Sequence, residues 1–278
     1  MKKLSLIIGL AVFTGITVML SSCNKDNDIP GTDLSVVSDD AYAESTFDNV
    51  TNLTDEAYDY ASNNFKSTQG WRFLSDCATV TLDTTSFPYL LTIDFGDTNC
   101  LCNDGRYRRG KILVSFTGRY YHPGTIITTT FDEYYVNDNQ VEGTKTVTNM
   151  GFNDGNNMYW DIAVNGVITL ADGGGTITWN SQREREWIDG IQTPDNKWDD
   201  KYLITGTANG VRANGLHWTR TIVNPLRVEL ACRFIVSGTV NIRPEGRALR
   251  VLDFGDGTCD NIATVTINGT TYTIYLRP

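Results

Sequence analysis

From Trp71 to the C-terminus the chain alternates between apolar and polar residues, and a period of two is the signature of sheet. Ile112, Val114 and Phe116 fall on one side of a strand, and Met158, Trp160, Ile162 and Val164 on one side of another, with Tyr159, Asp161, Ala163 and Asn165 opposite. The longest such face is Leu226, Val228, Leu230, Cys232, Phe234 and Val236. Successive side chains of a strand point to opposite faces, so each pattern describes a sheet with one buried side. Turn signals punctuate the strands at Asn137-Asp138-Asn139, Asn165-Gly166, Asp172-Gly173, Asn209-Gly210, Asn214-Gly215 and Asn268-Gly269. Asn-Gly and Asp-Gly tolerate the positive φ that tight hairpins need, and short connections force antiparallel neighbours. The expected fold is therefore all-β: an extended, twisted antiparallel meander curling into a barrel-like or two-layer form. No break in composition divides residues 39–278, which read as one domain. Its longest irregular stretch, Asp189 to Asp200, is the expected exposed loop.

A single helix is expected over 39–64. Ala43, Phe47, Val50, Thr54, Ala57, Tyr58 and Ala61 recur at spacings of three and four and form one apolar stripe. Ser38 or Asp39 can cap its start, and the Thr51-Asn52 step is a place where it can divide in two. The acids Glu44, Asp48, Asp55, Glu56 and Asp59 are expected to face water.

One motif occurs twice. Residues 77–121 and 232–275 share the order Cys, strand, Asp-Phe-Gly-Asp, Cys, strand, with the tetrapeptide at Asp94 to Asp97 and again at Asp253 to Asp256. The spacing lacks the alternate oxygens of a calcium loop. The simpler reading is a turn in which Asp bonds backbone amides, Phe packs inward and Gly takes positive φ. The repeat suggests disulfides Cys77–Cys100 and Cys232–Cys259, each within its own unit. Cys102 is then left over, and Cys77 can pair with it instead of Cys100. A metal site on Cys100 and Cys102 would need more ligands, and the two histidines, His122 and His217, lie in no ligand-spaced pair. No metal or cofactor is expected.

The stretch Trp179 to Trp187 alternates without an apolar middle. Trp179, Arg183, Arg185 and Trp187 share one side, and Gln182, Glu184 and Glu186 the other. Two readings follow: an edge strand, or one reaching past the core, protected by its charges; or a ligand face in which Arg flanked by Trp grips an anion or a sugar ring. Catalytic signatures are missing from the sequence: there is no G-x-S-x-G, no H-E-x-x-H and no glycine loop leading into a helix. Paired carboxylates for sugar hydrolysis on neighbouring strands remain open as an alternative. The formal net charge of -10 argues against a nucleic-acid partner.

The N-terminus carries its own instruction. Lys2 and Lys3 precede an uncharged, largely apolar run from Leu4 to Leu20, and Leu20-Ser21-Ser22-Cys23 resembles the bacterial lipobox. The resemblance implies cleavage after residue 22, acylation of Cys23, and a membrane partner reached through that lipid, with residues 23–38 as a flexible tether. Lys25 and the acidic residues just after the cysteine are similar to the surface-export signal of Bacteroidota lipoproteins, which implies an outer-membrane, surface-facing location, with the periplasmic face as the alternative. Further segments point the same way: F-D-E-Y-Y-V-N from Phe131, V-E-G-T-K-T-V-T-N from Val141, T-I-T-W from Thr176, Y-L-I-T-G-T-A from Tyr202 and the closing V-T-I-N-G-T-T-Y. With the lipobox and the repeated Asp-Phe-Gly-Asp, they resemble a family of Bacteroidota lipoproteins of unknown function. That likeness brings no activity or ligand. The expectation is an envelope lipoprotein without enzymatic activity that binds a glycan or an envelope protein or serves structurally, with a polysaccharide hydrolase as the alternative.

Overall fold

A computed structural model describes residues 34–62, 73–119, 121–193 and 196–276. Cys23 and the rest of the signal and tether up to residue 33 lie outside the described residues. The compact unit Leu34–Pro278 opens with α1 (Ser35–Ala61), followed by β1 (Thr79–Asp83), β2 (Tyr89–Asp94), the two-residue β3 (Cys100–Leu101), β4 (Tyr107–Phe116) and β5 (Ile126–Val136). Then come β6 (Asn139–Phe152), β7 (Met158–Thr169), β8 (Thr176–Asp189), β9 (Lys201–Val211) and β10 (His217–Glu229). The chain closes with β11 (Ile235–Pro244), β12 (Arg250–Asp256), β13 (Ile262–Ile267) and β14 (Thr270–Tyr275).

All strands belong to one 14-stranded sheet in chain order, with β3 off the path on β4. Neighbours along the path are antiparallel throughout. The meander is as expected. It is curled but not closed, since β1 and β14 remain as edges.

The helix shows how far it curls. Phe47 meets Phe131 of β5 at 6.3 Å and stacks on Trp179 of β8 at 5.6 Å. Asn49 accepts from Arg108 of β4 at 2.6 Å, and Glu44, only ~7.5 Å away along the helix axis, meets Arg220 of β10. Strands β4 and β10 lie six positions apart, ~29 Å along a flat sheet, whereas a helix with its side chains is only ~10–12 Å across. One helix reaches both because the sheet wraps around it. Glycines make the wrap possible. Trp179 is paired across the sheet with Gly166 on one side and Gly210 on the other, and Gly210 with Trp218. A Cβ on Gly166 would lie 2.1 Å from the Phe47 ring, and one on Gly210 2.4 Å from Trp218. Asn165-Gly166 and Asn209-Gly210 are therefore not hairpin turns. They sit inside β7 and β9, where the missing side chain leaves room for an aromatic ring.

Other expectations need correction for the same reason. The helix starts at Ser35, so residues 35–38 belong to it and not to the expected tether, and it runs unbroken through Thr51-Asn52 to Ala61, with no side-chain cap at Leu34. Asp39 instead pairs with Arg212 at 2.5 Å. Because strands surround the helix, its acids do not all face water: Asp40 and Glu44 are buried, and Glu56 accepts from the backbone amides of Phe73 and Leu74 at 3.0 and 2.8 Å. The face from Leu226 to Val236 is not one strand. The chain turns between Glu229 and Ile235, and pairing with β9 and β11 slips around Pro225, which has no amide proton to donate.

Both copies of the repeat are hairpins stapled near their base. Cys77 and Cys100 flank β1 and β2, with Cα atoms 6.0 Å apart, and Cys232 and Cys259 flank β11 and β12, at 5.8 Å. Cys102 is a buried free thiol, so Cys77 takes Cys100 as its partner. In each tetrapeptide the first Asp accepts from the amide two residues on, Asp94 from Gly96 at 2.8 Å and Asp253 from Gly255 at 2.9 Å. Phe95 and Phe254 are buried, and Gly96 and Gly255 have positive φ.

Candidate functional site

Buried charged groups on the inner face bond to the helix or to its surroundings. Arg183 on β8 grips Glu44 through Nε at 3.2 Å and Nη2 at 2.6 Å. Arg220 on β10 meets the same carboxylate and lies 3.3 Å from Asp40. Lys145 on β6 donates to the Phe47 carbonyl at 2.5 Å and to the Thr51 hydroxyl, and burial pulls its ammonium down to about 8. Arg108 on β4 holds Asp104 with two bonds, 2.7 and 2.5 Å, and Asn49 at 2.6 Å. Burial raises the Cys102 thiol, against the opposing pull of Arg108. These groups fasten the helix into the sheet.

The four residues of the Arg/Trp pattern share one face, but it is the face turned toward the helix, and β8 is a central strand paired on both sides. The edge-strand reading is therefore overturned. Trp179 and Arg183 are enclosed, at 1% and 6% exposure, and Arg183 spends its forked donors on Glu44. Arg185 and Trp187 lie further along the strand and are only partly buried. Arg185 stacks 3.7 Å above the Tyr202 ring, and Trp187 packs between Tyr202 and Trp160. The face thus divides: half locks the helix, and half leads toward one end of the sheet.

The two ends of the sheet differ. In a sequential antiparallel meander, connections alternate between ends. One end holds turns at 137–138, 170–175, 212–216, 245–249 and 268–269 together with the longer segment 95–106 that carries β3, and the other holds the segments 84–88, 117–125, 153–157, 190–200, 230–234 and 257–261. We call these the turn end and the loop end. Helix α1 enters at the turn end, where Asp39 meets Arg212, and finishes at the loop end, where Asp59 meets Lys197. Exposed aromatic rings concentrate at the loop end: Tyr60, Phe87, Tyr121, Phe152, Trp198 and Tyr275. Among the described residues the turn end exposes Tyr107 alone of this kind.

At the centre of the loop end, Asp59 accepts from the Tyr121 hydroxyl at 3.2 Å and from the Lys197 ammonium. Tyr121 stands edge-on to Tyr58 at 6.2 Å. Lys197 and Trp198 belong to a single 3-10 turn over Lys197–Asp199, started by the Asn196 side chain accepting from the Trp198 amide. Burial raises the Asp59 carboxyl, with Lys197 opposing. Burial also pushes Asp200 up to about 6, eased by the Tyr202 hydroxyl at 3.3 Å and by Lys197. Lys197 is itself held above its ordinary value because Asp55 and Asp59 outweigh the effect of burial. The result is a carboxylate, an ammonium and a phenol bonded together, with the exposed rings of Tyr60 and Trp198 next in the chain to Asp59 and Lys197. Flat apolar area next to paired donors and acceptors is what a sugar ring requires.

The sequence placed Trp198 in the exposed loop but gave no sign that Tyr60, Asp59 and Tyr121 would join it, because a helix end and two loops meet there only in three dimensions. Among the described residues no cluster of His, Cys, Asp and Glu is arranged to hold a metal ion. The chain matches no family model, no curated protein and no solved structure.

Proposed function

We propose that the protein is a lipid-anchored, surface-facing component of a bacterial outer membrane that binds a glycan at its loop end and performs no chemistry on it. The observation that carries this reading is the separation of chain entry from the aromatic loops. The chain reaches the sheet at the start of α1, at the turn end, and the 27 residues of α1 rise ~40 Å to the other end. A lipid on Cys23 would hold the turn end near the membrane and present Tyr121, Lys197 and Trp198 outward. The apolar run and Leu20-Ser21-Ser22-Cys23 support the anchor.

Two experiments test the reading. Cys23→Ser should move the protein from the membrane fraction to the soluble fraction, and metabolic labelling with a fatty acid should mark the wild type only. Tyr121→Ala with Trp198→Ala should abolish retention on a glycan array, since truncating an aromatic anchor costs about 2 kcal/mol or more. Equal retention of wild type and variant would refute binding at this end.

One observation favours a second reading, hydrolysis of polysaccharide. Asp59 and Asp200 both have raised affinity for a proton and both interact with Lys197, beside an exposed tryptophan. Release of new reducing ends from a bound polymer, lost in Asp59→Asn, would establish it in place of simple binding.

A further inference from the structure

The outer face of the sheet carries an uncharged band independent of the loop end. One row of directly paired, outward residues crosses β5 to β10 as Thr130, Thr144, Asn165, Asn180, Asn209 and Thr219. The adjacent row is Thr128, Thr146, Ala163, Gln182, Thr207 and Thr221. Neither row contains a charge, in a chain where 20% of residues are charged. Acids lie beyond both rows, Asp161 facing Glu184 past one and Glu142 two residues before Thr144 past the other, and Arg243 of β11 pairs with Thr219 at one end of the band. A shallow groove of about 320 Å³ lies within the band, where Ala163, its shortest side chain, sits between Thr146 and Gln182. None of the band's hydroxyl or amide groups is engaged by another side chain among the described residues. With strands ~4.8 Å apart, six of them give a strip ~24 Å long, and two outward residues per strand give it a width of ~7 Å.

We propose that this strip binds a linear, uncharged polysaccharide lying across the strands. A sugar hydroxyl both donates and accepts, and so do threonine hydroxyls and the amides of Asn and Gln. Each such bond exchanges for one to water and contributes little, so affinity must come from repetition, which a long strip and a repeating polymer both supply. The flanking acids would repel an anionic glycan or a nucleic acid. A folded protein partner would want an apolar centre, and the strip offers only Ala163 there.

The test is affinity electrophoresis of the full chain in gels containing galactomannan, xyloglucan, dextran or a soluble β-1,3-glucan, with polygalacturonate as the charged control. The wild type should be retarded by at least one neutral polymer and not by polygalacturonate. Asn165→Glu with Thr207→Glu, both at exposed positions, should weaken that retardation by about tenfold or more with an unchanged melting temperature. Tyr121→Ala with Trp198→Ala should leave it in place. Retardation by none of the neutral polymers overturns the proposal. Retardation that survives the band variant and disappears in the loop-end variant also overturns it, and sustains the loop-end reading instead.

Discussion

The two faces of β8 use polar residues in opposite ways. Inward, Arg183 is buried and clamped on Glu44, and Trp179 stacks on Phe47. Outward, Asn180 and Gln182 carry no charge and meet solvent with no side-chain partner among the described residues. A strand with a run of charges at Arg183 to Glu186 has thus placed part of its charge inside. The lesson concerns recognition: Arg flanked by Trp resembles a ligand face in sequence, yet here the ligand of Arg183 is the protein's own helix. Surfaces left for outside partners are the plainer ones, a neutral outer band and the rings at the loop end.

The comparison is most open to attack at Glu44. Replacing it with Ala leaves Arg183 without its carboxylate and Arg220 with one fewer, deep in the core. Removing one partner of a buried ion pair costs about 3–5 kcal/mol, so urea denaturation should show a loss of that size. A loss under about 1 kcal/mol would mean that the inner charges are not what fastens the helix. Gly166→Ala probes the same face sterically. Its new Cβ would overlap the Phe47 ring, and overpacking of this kind costs about 1–3 kcal/mol, read as a lowered midpoint at unchanged slope.

Asp200 sharpens the contrast through pH. Its folded-state pKa of about 6 lies above the ordinary 3.8, so the folded protein holds the proton more tightly than the unfolded chain. Its contribution is therefore favourable below about pH 4, declines as pH rises toward 6 and is level above that. Asp200→Asn should match the wild type in melting temperature at pH 4 and exceed it from pH 6 upward, with the gap opening in between. A gap that is constant with pH would remove Asp200 from the account. On the outer face the expected effect is smallest: Gln182→Ala and Thr207→Ala should each change stability by no more than about 0.5 kcal/mol.

Much of the fold was legible because its signals are local. The alternation of Ile112, Val114 and Phe116, the turns at Asn137-Asp138, Asn214-Gly215 and Asn268-Gly269, and the paired cysteines of the repeat all state short-range facts, and the structure contains each of them. The Asp-Phe-Gly-Asp turns were readable for the same reason, since an Asp bonding an amide two residues away needs no distant partner. The candidate site was scarcely legible. Trp198 could be placed on a loop, but its neighbours Tyr60 and Tyr121 lie far away in sequence.

The sequence by itself determined an antiparallel meander and the presence of one helix, because period and turn chemistry are properties of neighbouring residues. Tertiary structure alone decided that the sheet wraps around that helix. That one event turned Gly166 and Gly210 from turn signals into spaces for aromatic rings. It also drew Asp40 and Glu44 inside to meet Arg183 and Arg220, and it gathered the exposed aromatics at the end away from chain entry. The physical reason is that these outcomes depend on which residues meet across six strands, and a buried charge or a missing side chain acquires its meaning only from what lies opposite.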